Sequence, residues 1–382
     1  MHSNDTIINK QIFFDTLEQS VACLYVSQNN ILKEKSIKFI QNGGSAYIWP
    51  AGEIGREFYN RINESGYTNI KLVDLNAHFN LDYVIHPNEI SNCNDSVVVI
   101  ASLKQSNSIY FTAKEMGFKY IVMYYDIVDI IIQELQVFPD DFHIQLFIDR
   151  KQHLLKNKKS YIDMYNSLCD DLSKTRFIED MMFRLTNDII YTFPKDDDQQ
   201  YFNSLIKEIS NDTVIVDGGG YTGDTLEKFL IYSNNKYKNY YLFEPDNNLL
   251  EQAKTVSNDE RIHYICKGLS KDKGETRYIS TGGLGGAINE RGDTSIYLTS
   301  IDKEISGKVT LIKMDIEGAE LDALKGAKGT IKKYKPELAI CIYHKANDYI
   351  DIFEFIRNIN NEYKFFIRHH SNYYGESVLY AI

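Results

Sequence analysis

At 382 residues the chain is longer than one ordinary compact domain, which runs ~100 to 200 residues, and it suits two domains with a connector. Its 53 acidic side chains outnumber 42 basic ones, and the net charge of −11 excludes broad electrostatic binding to nucleic acid or acidic lipid, both of which need a positive surface. A hydrophobic content of 43%, with 13% aromatics, excludes a disordered or fibrous chain and supplies large cores.

The polar start, Met1-His2-Ser3-Asn4-Asp5, lacks the basic and apolar regions of a secretory signal, so a cytoplasmic protein is expected. Cys23, Cys93, Cys169, Cys266 and Cys341 stand singly, with no CxxC pair and no histidine at metal-ligand spacing. They read as free thiols, and no metal is expected.

Residues 1–140 read as a Rossmann-like domain. Strands at 45–50, 69–74, 96–101 and 119–125 alternate with helices at 53–64 and 106–115, the pattern of a parallel sheet. Trp49-Pro50-Ala51-Gly52-Glu53-Ile54-Gly55-Arg56 follows the first strand and opens a helix, and Asp74 ends the second strand. Gly52, Gly55 and Asp74 therefore mark a candidate nucleotide site, similar to the GAGxxGR turn of nucleotide-sugar-binding domains. Against it, Pro50 stands where a first glycine would, and Glu53 would repel a diphosphate; the alternative is a module kept for packing, dimerisation or substrate presentation. The most apolar run, 120–132, carries Asp126 and Asp129 and falls short of the ~20 residues that cross a bilayer, so no membrane span is expected.

Residues 141–205 read as a helical connector. Its basic cluster, Arg150, Lys151, Lys156, Lys158 and Lys159, suits a solvated helix face better than a binding patch, and Pro194-Lys195-Asp196-Asp197-Asp198 marks a turn.

In residues 206–382, strands at 213–217, 240–244, 262–266, 309–315 and 337–343 alternate with helices at 224–232, 247–255, 318–334 and 348–359. Strand-like pieces at 276–280 and 295–301 flank the loop Thr281-Gly282-Gly283-Leu284-Gly285-Gly286-Ala287, which suits a lid or a loose edge loop. Strands at 363–369 and 377–381 are close enough for an antiparallel hairpin. The fold class expected is α/β with two doubly wound domains, the second closed by an antiparallel hairpin as in class I methyltransferases.

The chemistry concentrates in this last domain. Val214-Ile215-Val216-Asp217-Gly218-Gly219-Gly220-Tyr221-Thr222-Gly223-Asp224-Thr225 is a buried strand that empties into a glycine turn and a helix. Asp217 at the strand end opposes a phosphate and suits an ammonium group. About 20 residues on, Phe243-Glu244-Pro245 ends the next strand, where Glu244 can accept both ribose hydroxyls of an adenosine. Together the two acids describe S-adenosylmethionine.

A third element, Leu311-Ile312-Lys313-Met314-Asp315-Ile316-Glu317-Gly318-Ala319-Glu320-Leu321, is an apolar strand that ends in acids. With Leu324-Lys325-Gly326-Ala327 after it, it resembles the IKxDxEGxE…LxGA motif of FkbM-type methyltransferases; Asp217 to Thr225 and Phe243-Glu244-Pro245 resemble that family's preceding motifs. The resemblance runs over about residues 201–382, including Ile342-Tyr343-His344-Lys345 and Ile367-Arg368-His369-His370. One departure is Gly219-Gly220 where many members have Gly-Ala.

The resemblance implies a class I fold that uses S-adenosylmethionine to methylate hydroxyls of sugars, polyketides and related metabolites, here a small-molecule or glycan acceptor, possibly nucleotide-linked. It implies that Asp217, Gly219 and Gly223 cradle the methionine part, with Gly218, Gly220, Asp224 and Thr225 completing the turn. Glu244 would hold the ribose, and Asp246, Lys267 and Gly268 would lie near the adenine. Asp315, Glu317, His344 and Lys345 form the catalytic pool, with His344 the preferred general base and Asp315 the alternative or the group that orients it; a structural hydrogen bond also explains His344. Arg368 and His369 suit either an anionic part of the substrate or a salt bridge. Two other classes stay open: a nicotinamide-dependent oxidoreductase using the first domain, and a protein that binds S-adenosylmethionine without turnover. A homodimer is compatible with either.

Overall fold

The structure, a computed structural model, describes residues 25–76, 82–126, 142–192, 195–196, 199–279, 286–288, 292 and 294–382. The chain forms two compact units, one of residues 1–156, 178–194 and 371–374, the other of residues 157–177, 195–370 and 375–382. The helices expected as a connector are thus divided between the units. The candidate lid residues 281–285, and Pro194, Asp197 and Asp198 of the candidate turn, lie outside the described residues.

In the first unit come α1 (Tyr25–Gln41), β1 (Ser45–Trp49), α2 (Glu53–Glu64), β2 (Ile70–Val73), β3 (Val84–Ile85), β4 (Ser96–Ile100), α3 (Ser106–Glu115), β5 (Tyr120–Met123) and α4 (Phe142–Lys156). The strands form a parallel sheet in the order β3-β2-β1-β4-β5. Every residue of β4 is buried, as a central parallel strand covered on both faces requires. Helix α2 buries Gly55, Phe58 and Ile62, one helical stripe, against the sheet. The sequence predicted four strands; β3 adds a fifth of two residues, too short to show a period. Arg150 corrects the reading of the basic cluster. Its side chain is buried, with the guanidinium 4.7 Å from the Tyr374 ring centroid and 5.9 Å from that of Phe147, rather than on a solvated face.

Helices α5 (Lys158–Ser167) and α6 (Asp171–Thr186) follow, the division between units falling within α6. The second unit continues with β6 (Val214–Gly218), α7 (Asp224–Ser233), β7 (Asn239–Phe243), α8 (Asn247–Ala253), β8 (Ile262–Ile265), β9 (Gly268–Leu269), β10 (Gly274–Ile279), β11 (Ala287–Ile288), β12 (Thr294–Thr299) and α9 (Ile301–Glu304). It ends with β13 (Leu311–Met314), α10 (Glu320–Lys325), α11 (Lys328–Tyr334), β14 (Glu337–Cys341), α12 (Asp348–Ile359), β15 (Phe365–His369) and β16 (Ser377–Ala381).

Seven strands form its main sheet in the order β15-β16-β14-β13-β6-β7-β8, in which β16 runs antiparallel to both neighbours, the expected closing hairpin. Chain order reverses between β6 and β13, which makes their C-terminal ends the crevice where open α/β sheets bind ligands. A second sheet, β11-β10-β12-β9, carries the two strand-like pieces of the sequence. The single helix predicted over 318–334 is two. The Asp302 carboxylate accepts the amides of Gly329 and Thr330 at 2.7 and 2.8 Å, starting α11 afresh.

The outer edge of β15 is covered within its own unit. Leu168 bridges to Phe365, Cys169 N–H donates to Phe365 O at 3.0 Å, and Ile367 N–H donates to Ser173 Oγ at 2.9 Å. Edge groups that would otherwise be unpaired are thereby satisfied. Among the described residues no helix is long and apolar enough to cross a membrane.

Candidate active site

The glycine turn after β6 is held from below by a buried ion pair. Lys313, on the neighbouring strand β13, puts its ammonium 2.8 Å from Asp217 Oδ1, and both side chains are fully buried. The Tyr240 hydroxyl donates to Asp217 Oδ2 at 2.6 Å. The same ammonium donates to the carbonyls of Gly218 and Gly219 at 3.2 and 2.8 Å. Burial opposes the Lys313 charge, but Asp217, then Asp315, raise its pKa above the ordinary lysine value. The Asp217 charge expected to face a ligand's ammonium is therefore answered by Lys313, which in turn holds the glycine turn by its carbonyls.

Gly219 shows why that position is glycine. Its φ is +78°, and a Cβ there would come 1.9 Å from the carbonyl oxygen of Asp315. The turn touches the end of β13, leaving no room for a side chain. Thr225 is buried behind the turn, whereas Asp224 is exposed and pairs loosely with Lys228 at 3.9 Å.

At the end of β7, Glu244 is buried, with Oε2 accepting the Tyr221 amide at 3.0 Å and Oε1 the Asp246 amide at 2.9 Å. Each oxygen keeps a second lone pair, the acceptors that a ribose diol needs. Burial pushes its carboxyl up to about 7, against the two amides. Asp246 caps α8 through Asn248 and Leu249 N–H. The Lys267 ammonium turns to Glu304 at 2.7 Å, and Gly268 packs beside Leu298 in the second sheet.

The catalytic pool converges beyond β13 and β14. Asp315 accepts the hydroxyls of Tyr201 and Tyr343 at 3.0 and 3.1 Å. Glu317 stands in the left-handed region at φ +53°, uncommon for a residue with a Cβ and a form of strain that collects at functional sites. His344 is buried, with Nδ1 2.9 Å from Glu320 Oε1 and Nε2 3.4 Å from both Asp315 Oδ1 and Glu317 Oε2. Burial alone would strip the imidazolium of its proton, but Glu320, then Asp315 and Glu317, outweigh it and raise the pKa to about 10. Glu320 also accepts the Ile316 amide at 2.9 Å, tying the turn after β13 to the helix that follows. Lys345 is exposed, its stem beside Gly318 and its amide bonded to Asp348 at 2.6 Å. Asp315, Glu317, His344 and Lys345 are thus neighbours.

Arg368 and His369 sit elsewhere. The Arg368 guanidinium is buried against Asp170, at 2.7 and 3.3 Å, and donates to Ser173 Oγ at 2.9 Å. His369 Nδ1 is 2.9 Å from Ser377 Oγ. Both side chains belong to the packing of the edge strand.

In the first unit Gly52, Gly55 and Asp74 lie at the C-terminal ends of β1 and β2. A Cβ on Gly55 would come 2.1 Å from Pro50 O, so that glycine is needed for packing, while Gly52 has open space. The Arg56 Nε donates to Ala51 O at 2.7 Å, and Asp74 accepts the Asn76 amide at 2.9 Å.

Four residues escaped the sequence reading. Lys313 carried a signal, a charge inside an apolar strand that burial obliges to find a partner. Glu320 stood in the quoted motif without a role. Tyr201 precedes the first strand and had no signal. Tyr278 on β10 is buried, and burial first, then the charges of Glu244, Asp246 and Glu317, raise its pKa.

Residues 217–367 match the family model of the methyltransferase FkbM domain. Among solved structures, the chain is similar to a methyltransferase FkbM from Methylobacillus flagellatus KT at 21% identity, a TM-score of 0.75, and coverage of 99% of this chain and 100% of that one. At that identity the likeness is one of fold. A putative methyltransferase from Streptococcus mutans in complex with SAH matches at 10% identity over 46% of this chain and 91% of its own, with a TM-score of 0.31. A putative rRNA-methylase from Clostridium thermocellum matches at 11% over 45% and 86%, with a TM-score of 0.30; neither likeness says more about this chain. No curated protein matches it. The glycine turn, the acid ending β7 and the acidic turn after β13 all lie within residues 217–367, the part of the chain that matches the methyltransferase FkbM domain.

Proposed function

We propose that the second unit transfers a methyl group from S-adenosylmethionine to a hydroxyl of a carbohydrate or related metabolite. One observation carries the reading: across the switch point between β6 and β13, a turn of three successive glycines and the buried Glu244 stand on one side, and the Asp315–Glu317–His344 cluster on the other. The residues present fit the cofactor, with Glu244 for the ribose diol and the turn from Gly218 to Gly223 for the methionine part. When bound, the cofactor supplies a sulfonium methyl group, which an acceptor oxygen takes as the carbon–sulfur bond breaks. The protein's own task is alignment and removal of the acceptor proton.

Geometry shifts that second task from His344 to Glu317. Both ring nitrogens of His344 are already faced by carboxylates, whereas Glu317 is the most exposed acid of the cluster, its side chain 39% exposed. Glu317 takes the acceptor proton, His344 holds it in place, and Asp315, gripped by two tyrosines, anchors the group. Among the described residues of the first unit no feature favours hydride chemistry, since Gly55 serves packing.

Calorimetry with S-adenosylmethionine, paired with transfer of labelled methyl to a panel of nucleotide sugars and glycans, tests the reading. Glu244→Ala is expected to lose binding, and Glu317→Gln to keep binding while turnover falls ~10²- to 10⁴-fold. A folded wild-type protein that does not bind the cofactor overturns it.

A further inference from the structure

We infer that Asp315, Glu320 and His344 form a divalent-cation site, with Glu317 on its exposed side. One donor atom from each of the three lies within 4.8 Å of the other two. The spacing around His344 Nε2 suits shared ligation better than hydrogen bonding. Its 3.4 Å separations from Asp315 Oδ1 and Glu317 Oε2 exceed the ~2.7–2.9 Å of charge-assisted hydrogen bonds. They match the roughly 3.0–3.4 Å between neighbouring ligands on an ion with bonds of about 2.1 Å.

Orphaned atoms give an independent reason. Glu320 is fully buried and its Oε2 has no hydrogen-bond partner, and Nε2 of the buried His344 ring completes no hydrogen bond. Buried polar atoms without partners are costly, and two in one cluster point to a missing group. Three carboxylates around one imidazole also leave an excess of negative charge that a divalent cation offsets. Glu320 Oε1 lies 2.9 Å from Nδ1 of the ring, which leaves Nε2 to face the ion, and Oε2 is the unpaired oxygen left to ligate it. Mixed carboxylate and imidazole donors suit manganese, iron or zinc. The sequence shows no ligand spacing because the donors come from the end of β13, the start of α10 and the end of β14. A cation there would bind the acceptor oxygen and lower the pKa of its hydroxyl, leaving Glu317 to take the proton.

The chemical role rests on the methyl-transfer reading; the site does not. Titration of the full chain with Mn²⁺ alone, followed by loss of the free-ion electron paramagnetic resonance signal, reads it directly. One tight Mn²⁺ per chain is expected, weakened at least tenfold in both His344→Gln and Glu320→Gln, with S-adenosylmethionine affinity retained. Glu260→Gln, on the surface, should leave the ion in place. Absence of binding by wild type, or equal binding by both site variants, overturns the inference, and intact cofactor binding in the same samples shows that the methyl-transfer reading survives.

Discussion

Lys313 and Asp217 show how a buried pair can hold a glycine turn from below. Lys313→Met would leave the Asp217 carboxylate buried beside Tyr240 alone, a change that costs about 3–5 kcal/mol. Denaturant unfolding should register that loss, and Lys313→Met with Asp217→Asn should recover part of it. Gly219→Ala meets the Asp315 carbonyl and an unfavourable φ, the backbone alone costing about 1–2 kcal/mol. Its melting temperature should fall, and calorimetry should find no cofactor binding. Glu244 carries the pH dependence. Its folded pKa, about 7, lies above the unfolded value of 4.5, so the neutral carboxyl is favoured in the fold. Stability from this group is full below pH 4.5 and declines as pH rises towards 7. Ribose hydroxyls donate to the ionised form, so binding reverses that sign: affinity should rise about tenfold from pH 6 to pH 8. Glu244→Gln should flatten the profile.

Strand β15 decides the reading of Arg368 at the next scale. Its guanidinium joins the strand to Asp170 and Ser173, the segment that covers the sheet edge, and Phe365 and Ile367 bond to the same segment. An element held this way is a packing device. Arg368→Met should lower stability by about 1–3 kcal/mol, less than a fully buried pair because Asp170 is one-third exposed. Acceptor KM should not change; a large rise in KM with unchanged melting would return Arg368 to the substrate. The acidic turn between β13 and α10 works as an element too, since Glu320 ties Ile316 to His344 and Lys313 ties the strand to the glycine turn. The glycine turn and the Glu320–His344 cluster are joined through one strand.

Over the whole molecule, the second unit begins earlier than its first sheet strand. Residues 157–177 belong to it, and Arg176 pairs with Asp196 at 3.0 Å within the same unit. A fragment of residues 206–382 lacks the cover on β15, both arginine pairs and Tyr201, which holds Asp315. It should melt at least about 10 °C below a fragment of residues 157–382, on the scale of about 2–4 °C per kcal/mol for domains of this size. Circular dichroism melts of the two fragments check this, and equal melting would mean that the segment is dispensable.

Periodicity and glycine placement determine which strands form, and by themselves they made the two α/β layers, the glycine turn, Glu244 and the acid-rich end of β13 legible. These depend on local chemistry: buried parallel strands read as apolar runs, and turns need particular residues. Side-chain direction was not legible, because a residue's neighbours across a sheet come from distant chain positions. Asp217 looked free until Lys313 arrived from the next strand, and Arg368 looked available until Asp170 covered it. His344 read as a general base beside Asp315 until tertiary packing added Glu320 and Glu317 around it, and with them the case for a cation. The sequence by itself determined what kind of sheet forms and where its ligand edge lies. Only the tertiary structure decided which charges answer one another there, since burial makes each charge depend on partners that the chain supplies from other elements.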